Sequence, residues 1–179
     1  MRRPILTNFQ FFEEGRAEVG IFQVGRLIID RIAMLENLIN LYDRDLRRLE
    51  TELSTFRPEE NLWRVTGQVV NPAGNLGLHL VGNLTTYIGK NLGGIDYIRD
   101  RPVEFSRRNV PLPELLGMVR TTHGHVTQTL QKLQRDDLEA RYPEDVLGFE
   151  MTTGYFLLHL LAHLAYHTGQ INYIRRVLE

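Results

Sequence analysis

His163 and His167, in the stretch LLAHLAYHTGQINYIRR, stand four residues apart on a strongly apolar segment. On a helix that spacing is one turn, about 6 Å along the axis. Two imidazoles so placed can converge on a single ion, with metal–nitrogen bonds near ~2.0–2.1 Å. An unpaired imidazole inside a core costs free energy, so each ring needs either a hydrogen-bond partner or a metal. Structural histidines, hydrogen-bonded in the core, are the competing reading of the same pair. The motif is not the HExxH of a zinc peptidase. Leu164 stands where that motif places its glutamate, so no general base is built in and a metalloprotease is excluded.

A wheel drawn at helical spacing centres the apolar face of this segment on Phe156, Leu160, Leu164, Ile171, Ile174 and Leu178. His163 and His167 fall within that stripe and are expected to be buried; His159 falls roughly 60° to one side. A further histidine, His79 in NLGLHLVGNLTTY, is a candidate third ligand. Asn75, His79 and Asn83 recur every four residues as a polar line beside Leu76, Leu80 and Tyr87. Such a line is either bundle surface or the edge of an internal site. His123 and His125 lie off the Leu115–Val119–Val126–Leu133 stripe, and an ordinary polar role is expected of both. No acid–base carboxylate is evident beside the histidines.

The elements that must carry these residues are helices. Ile21, Val24, Ile28, Ile32, Leu35 and Ile39 mark a first helix from about Gly20 to Ser54, with an exposed end beyond Leu41 where the text turns charged. Pro58 stops it, and a short turn with Trp63 follows. Asn71 as cap and Pro72 at the first helical position start a second helix, which runs to about Asn91 and ends at Gly93–Gly94. A long charged connection, DYIRDRPVEFSRRNVPLP, leads to a third helix from about Pro113 to Arg135. Thr152 or Thr153 caps the fourth helix, which reaches the carboxyl terminus. Four helices with one long crossover predict an all-α, four-helix bundle in a single domain over residues 1–179, with residues 1–19 as an extension.

Composition narrows the function classes. Net charge is −1, from 21 basic and 22 acidic residues, which offers no electrostatic footprint for nucleic acid. There is no cysteine, so disulfides, thiolate-ligated metals and a cysteine nucleophile are excluded together. No apolar run approaches the ~20 residues of a membrane span, and the amino terminus lacks the apolar stretch of a signal peptide. A cytoplasmic protein is expected.

A histidine in the first half of the second helix followed by GN, then HxxxHxGQI on the last, resembles the DinB-like (damage-inducible) superfamily from about Gly20 to the end. EFSRRNVPLPELL in the crossover and HLAYHTGQINYIRR at the terminus are similar to a bacterial branch of that superfamily. The resemblance implies a bundle of up-down-down-up course, homodimeric, with a divalent metal such as zinc or nickel held by three histidines. Carried onto this sequence the ligands are His79, His163 and His167, and His159 lies outside the triad. Similar folds serve thiol-dependent S-transferases and isomerases that use bacillithiol, mycothiol or glutathione, which implies a low-molecular-weight thiol cosubstrate.

Physical chemistry points the same way. Three neutral imidazoles leave an ion its full positive charge and an open position that favours an anion, hydroxide or thiolate. Because the chain has no cysteine, a thiol must arrive as a cosubstrate. Asn83, Tyr87, His159 and Gln170 are candidates to line the pocket or support the ligands. A metal-activated hydrolase and a non-catalytic dimeric stress or ligand-binding bundle are the alternatives. Apolar residues beyond what one core needs, including Leu27, Ile29, Leu157 and Leu161, add to the expectation of a homodimer.

Overall fold

The computed structural model describes residues 34–179. The expected start of the first helix near Gly20, and the residues Leu27 and Ile29, lie outside the described residues. Helix α1 occupies residues 34–54. Its apolar stripe continues through Leu38, Tyr42, Leu46, Leu49 and Leu53, none more than 1% exposed. The expectation of an exposed far end is therefore corrected. The exposed arginines beyond Leu41, Arg44, Arg47 and Arg48, occupy the other faces, while the three-and-four spacing of apolar side chains runs on, with Asp45 buried beside it.

After a 3-10 turn at Glu59–Trp63, α2 spans Ala73–Leu84 and continues as a π-helical segment, Thr85–Lys90. Pro72 is the N-cap, so the helix begins one residue later than predicted and Asn71 does not cap it. The segment closes at Gly94, whose φ of 69° is left-handed and suits glycine. The crossover is not merely a connection: it contains α3, Arg101–Ser106, capped by the Asp100 side chain. Helix α4 spans Leu112–Lys132, the short α5 spans Arg135–Glu139, and α6 spans Thr153–Leu178. Thr152 caps α6 by accepting from the Tyr155 amide. Among the described residues no strand forms; one antiparallel bridge joins Arg141 and Thr152. No helix among them is long and apolar enough to cross a membrane.

Contacts near the two ends of each helix fix the course of the bundle. Tyr42 donates to the Leu157 carbonyl at 2.7 Å and Asn172 to Glu52 at 2.9 Å, so α1 and α6 run the same way. Arg120 meets Glu50 and His123 meets Asp43, so α4 runs against α1. Gly77 lies beside Leu115 and Thr85 bonds Thr122, so α2 and α4 are parallel. The result is up-down-down-up.

Helix α2 is the centre of the assembly. Every residue from Ala73 to Leu84 is buried, against α3, α4 and α6. Asn75, His79 and Asn83 are 0%, 6% and 8% exposed, so the polar line faces inward. The crossover makes this tolerable: Asn75 donates to the carbonyls of Glu104 and Arg107 at 2.7 and 2.9 Å. A buried amide without such partners would cost about 1–3 kcal/mol. On α6, Leu157 and Leu161 are 0% and 9% exposed and belong to this chain's own core. They supply no surplus apolar surface for a second copy.

Candidate metal centre

The depth of Leu157 and Leu161 rotates α6 relative to the predicted wheel. His163 and His167 are consequently half-buried rather than buried, on the flank of the stripe that faces α2. That rotation brings them to His79. His79 Nε2 lies 3.3 Å from His163 Nε2, which lies 3.0 Å from His167 Nε2. A tetrahedral ion with bonds near ~2.05 Å holds its ligand atoms about 3.3 Å apart. The spacing fits.

Hydrogen bonds on the far sides of two rings decide what the near sides offer. His79 Nδ1 lies 2.9 Å from Glu104 Oε2, and His167 Nδ1 lies 2.7 Å from Gln170 Oε1. Carboxylate and amide oxygens accept, so both Nδ1 atoms carry a proton and Nε2 is the nitrogen each ring can offer to a metal. His163 can satisfy at most one of these two Nε2 atoms. Burial, reinforced by His167, His79, His159 and Arg99, pushes the His163 pKa down to about 3. Burial also lowers His167, with His79 adding to it and Gln170 opposing it. His163 and His167 are thus held neutral at pH 7, and three ring nitrogens converging on one point are the donor set of a divalent cation. Among the described residues, these three are the cluster that could hold a metal.

Glu104 is the functional residue that sequence reasoning missed. Burial alone would raise its pKa, but the bonds from His79 and Arg99 hold it below the ordinary carboxylate value. Arg99 grips the carboxylate with Nε at 2.6 Å and Nη2 at 2.9 Å. A Cβ on Gly82 would overlap the Glu104 carboxyl group, so the glycine of the HxxGN stretch is what admits it against α2. The only sequence signal was a lone glutamate in the apolar part of RPVEF. Its partner lies 25 residues away.

The remaining predicted residues divide. Gln170 holds His167 and donates to the Tyr166 hydroxyl at 3.2 Å. Asn83 and Tyr87 line a cavity of about 270 Å³ at His79 and His163. His159 lines it too, stacked on Phe156, but is exposed and brings no nitrogen to the cluster. Across His167 a second, larger cavity of about 720 Å³ has Val69, Val70, Tyr166, Tyr173 and Ile174 among its walls. His123 is bonded to Asp43 at 2.9 Å, and neither it nor His125 joins the cluster.

Comparison with known proteins places the frame. The model of a family described as the DinB superfamily matches residues 41–171. A crystal structure of a conserved protein from Enterococcus faecalis is similar in fold, with a TM-score of 0.60 at 16% identity, covering 79% of this chain and 94% of that one. A comparison with curated proteins returns no match.

Proposed function

Because the chain belongs to the DinB superfamily, we propose that His79, His163 and His167 hold one divalent ion, zinc or nickel, in a thiol-dependent S-transferase. The observation that carries the reading is the convergence of the three Nε2 atoms within 3.0–3.3 Å steps, two of them on rings whose Nδ1 is already hydrogen-bonded. The metal, when bound, supplies a Lewis-acidic position that favours an anionic ligand such as a thiolate.

The chain's own residues supply the rest. Glu104 keeps the proton of His79 on Nδ1, and Gln170 does the same for His167, so neither ring turns its N–H toward the centre. Arg99 fixes Glu104 from the other side. Phe156 and Leu160 form the apolar part of the smaller cavity's wall. The thiol comes from outside, since the chain has no cysteine. The electrophile is a small molecule that reaches the same centre.

The transferase is preferred over a metal-activated hydrolase for a specific reason. Hydrolysis needs a base beside the nucleophilic water, and both Glu104 oxygens are already engaged by His79 and Arg99. The test is conjugation of 1-chloro-2,4-dinitrobenzene by zinc- and nickel-loaded protein with glutathione, cysteine or N-acetylcysteine. Turnover that requires both metal and thiol, and is lost in His163→Ala, supports the proposal. Hydrolysis of p-nitrophenyl acetate without thiol, and no conjugation, points to the hydrolase. Neither activity in metal-loaded protein points to a non-catalytic bundle.

A further inference from the structure

The smaller cavity has its charge on one wall. Arg99 and Arg101 both line it, and the two guanidinium groups are used differently. Arg99 commits Nε and Nη2 to Glu104 and lies 5.5 Å over the Tyr87 ring. Arg101 lies 5.4 Å over the Phe105 ring and has no carboxylate partner among the described residues. Stacking on an aromatic face orients a guanidinium while leaving its edge of N–H donors free. With Glu104 offsetting Arg99, the guanidinium charge of Arg101 is left without a carboxylate to balance it on this wall.

A second, independent feature faces the same space. Asn83 is 8% exposed, lines the cavity, and its buried Oδ1 has no hydrogen-bond partner. An unpaired buried amide oxygen is expensive, and a ligand carrying a donor would relieve it. The cavity, about 270 Å³, suits a molecule of a few heavy atoms or one end of a larger one.

We propose that this cavity selects a carboxylate-bearing thiol. The carboxylate pairs with Arg101, an N–H or O–H of the same molecule donates to Asn83 Oδ1, and the sulfur reaches the side walled by His79 and His163. The inference rests on the thiol-dependent reading of the histidine centre and adds the charge of the substrate to it.

The test uses the full chain loaded with cobalt(II), titrated with 3-mercaptopropionate and with its neutral amide, 3-mercaptopropanamide. Sulfur-to-cobalt charge-transfer absorption reports binding directly. The acid should bind about tenfold more tightly than the amide, the scale of one charge-assisted hydrogen bond. In Arg101→Gln the two should bind nearly equally while the cobalt content stays that of the native protein. Equal binding of both thiols to native protein, or a preference that survives in Arg101→Gln, overturns the charge selection and leaves the thiol reading standing. Absence of a sulfur-to-cobalt band with both thiols overturns the thiol reading, and this inference falls with it.

Discussion

Glu104 Oε2 lies 2.9 Å from His79 Nδ1, and this contact determines which nitrogen of His79 faces the other two histidines. The carboxylate accepts a hydrogen bond from Nδ1–H, so Nε2 is the nitrogen turned toward the cluster, 3.3 Å from His163 Nε2. A short crossover helix thus sets the chemistry of a ring on the central helix. Arg99 and Gly82 exist in the arrangement to keep that carboxylate in place, one by pairing with it and the other by making room.

Glu104→Gln should reduce metal affinity about 10- to 100-fold, the usual cost of losing a partner behind a metal-binding histidine. The amide keeps the shape but gives Arg99 no anion, and its orientation no longer fixes the His79 tautomer. Competition against a chromophoric chelator measures the change. Unaltered affinity would show that Glu104 only neutralises Arg99.

Gly82→Ala separates helix propensity from site geometry. In an ordinary helix interior alanine is favoured over glycine by about 1 kcal/mol. Here its Cβ would overlap the Glu104 carboxyl group, and overpacking of that kind costs about 1–3 kcal/mol. The variant should unfold at lower denaturant and bind metal more weakly. A gain in stability with unchanged metal affinity would show that Glu104 does not depend on this close approach.

Much of the fold was legible because the four long helices carry continuous apolar periodicity, and caps such as Thr152 and the turn at Gly94 have local signatures. The histidine pair on α6 was legible for the same reason: four-residue spacing is a local quantity. What was not legible depends on three-dimensional company. The wheel of α6 could not rank Leu157 against Leu160, and so placed His163 and His167 too deep. The inward direction of Asn75 and Asn83 follows from the crossover lying across α2, which periodicity within α2 does not encode. Glu104 was invisible because its meaning comes from a residue 25 positions away.

Acid should destabilise the metal-free protein in a defined window. The pKa of His163 is pushed from 6.5 down to about 3, by burial first and by neighbouring His167 and His79 next. Below 6.5 the unfolded chain binds a proton that the folded chain refuses, so stability is full above that pH and falls as pH drops toward 3. His167 is lowered in the same sense. Glu104, also lowered, adds a further loss below 4.5, where the unfolded carboxylate begins to protonate. Thermal melts of metal-free protein should show Tm declining from pH 7 to 4, and His163→Gln should flatten the slope between pH 6.5 and 5. A flat native profile over that range would contradict the buried, neutral state of His163.

Metal should raise Tm, because a ligand bound only by the folded chain stabilises it and ties α2 to α6. His159→Ala should retain the rise, since His159 is exposed and contributes no nitrogen to the cluster. His163→Ala and His167→Ala should lose it. Scanning calorimetry with and without zinc makes the comparison. A rise abolished equally in all three variants would place His159 among the ligands.

The central claim is that one divalent ion is held by His79, His163 and His167. Its most direct test is calorimetric titration of zinc into metal-free protein purified without a histidine tag, beside the variant carrying His79→Ala, His163→Ala and His167→Ala. The account predicts one ion per chain in the native protein and no saturable binding in the variant. Absence of stoichiometric binding by the native protein, or equal binding by the variant, would contradict it.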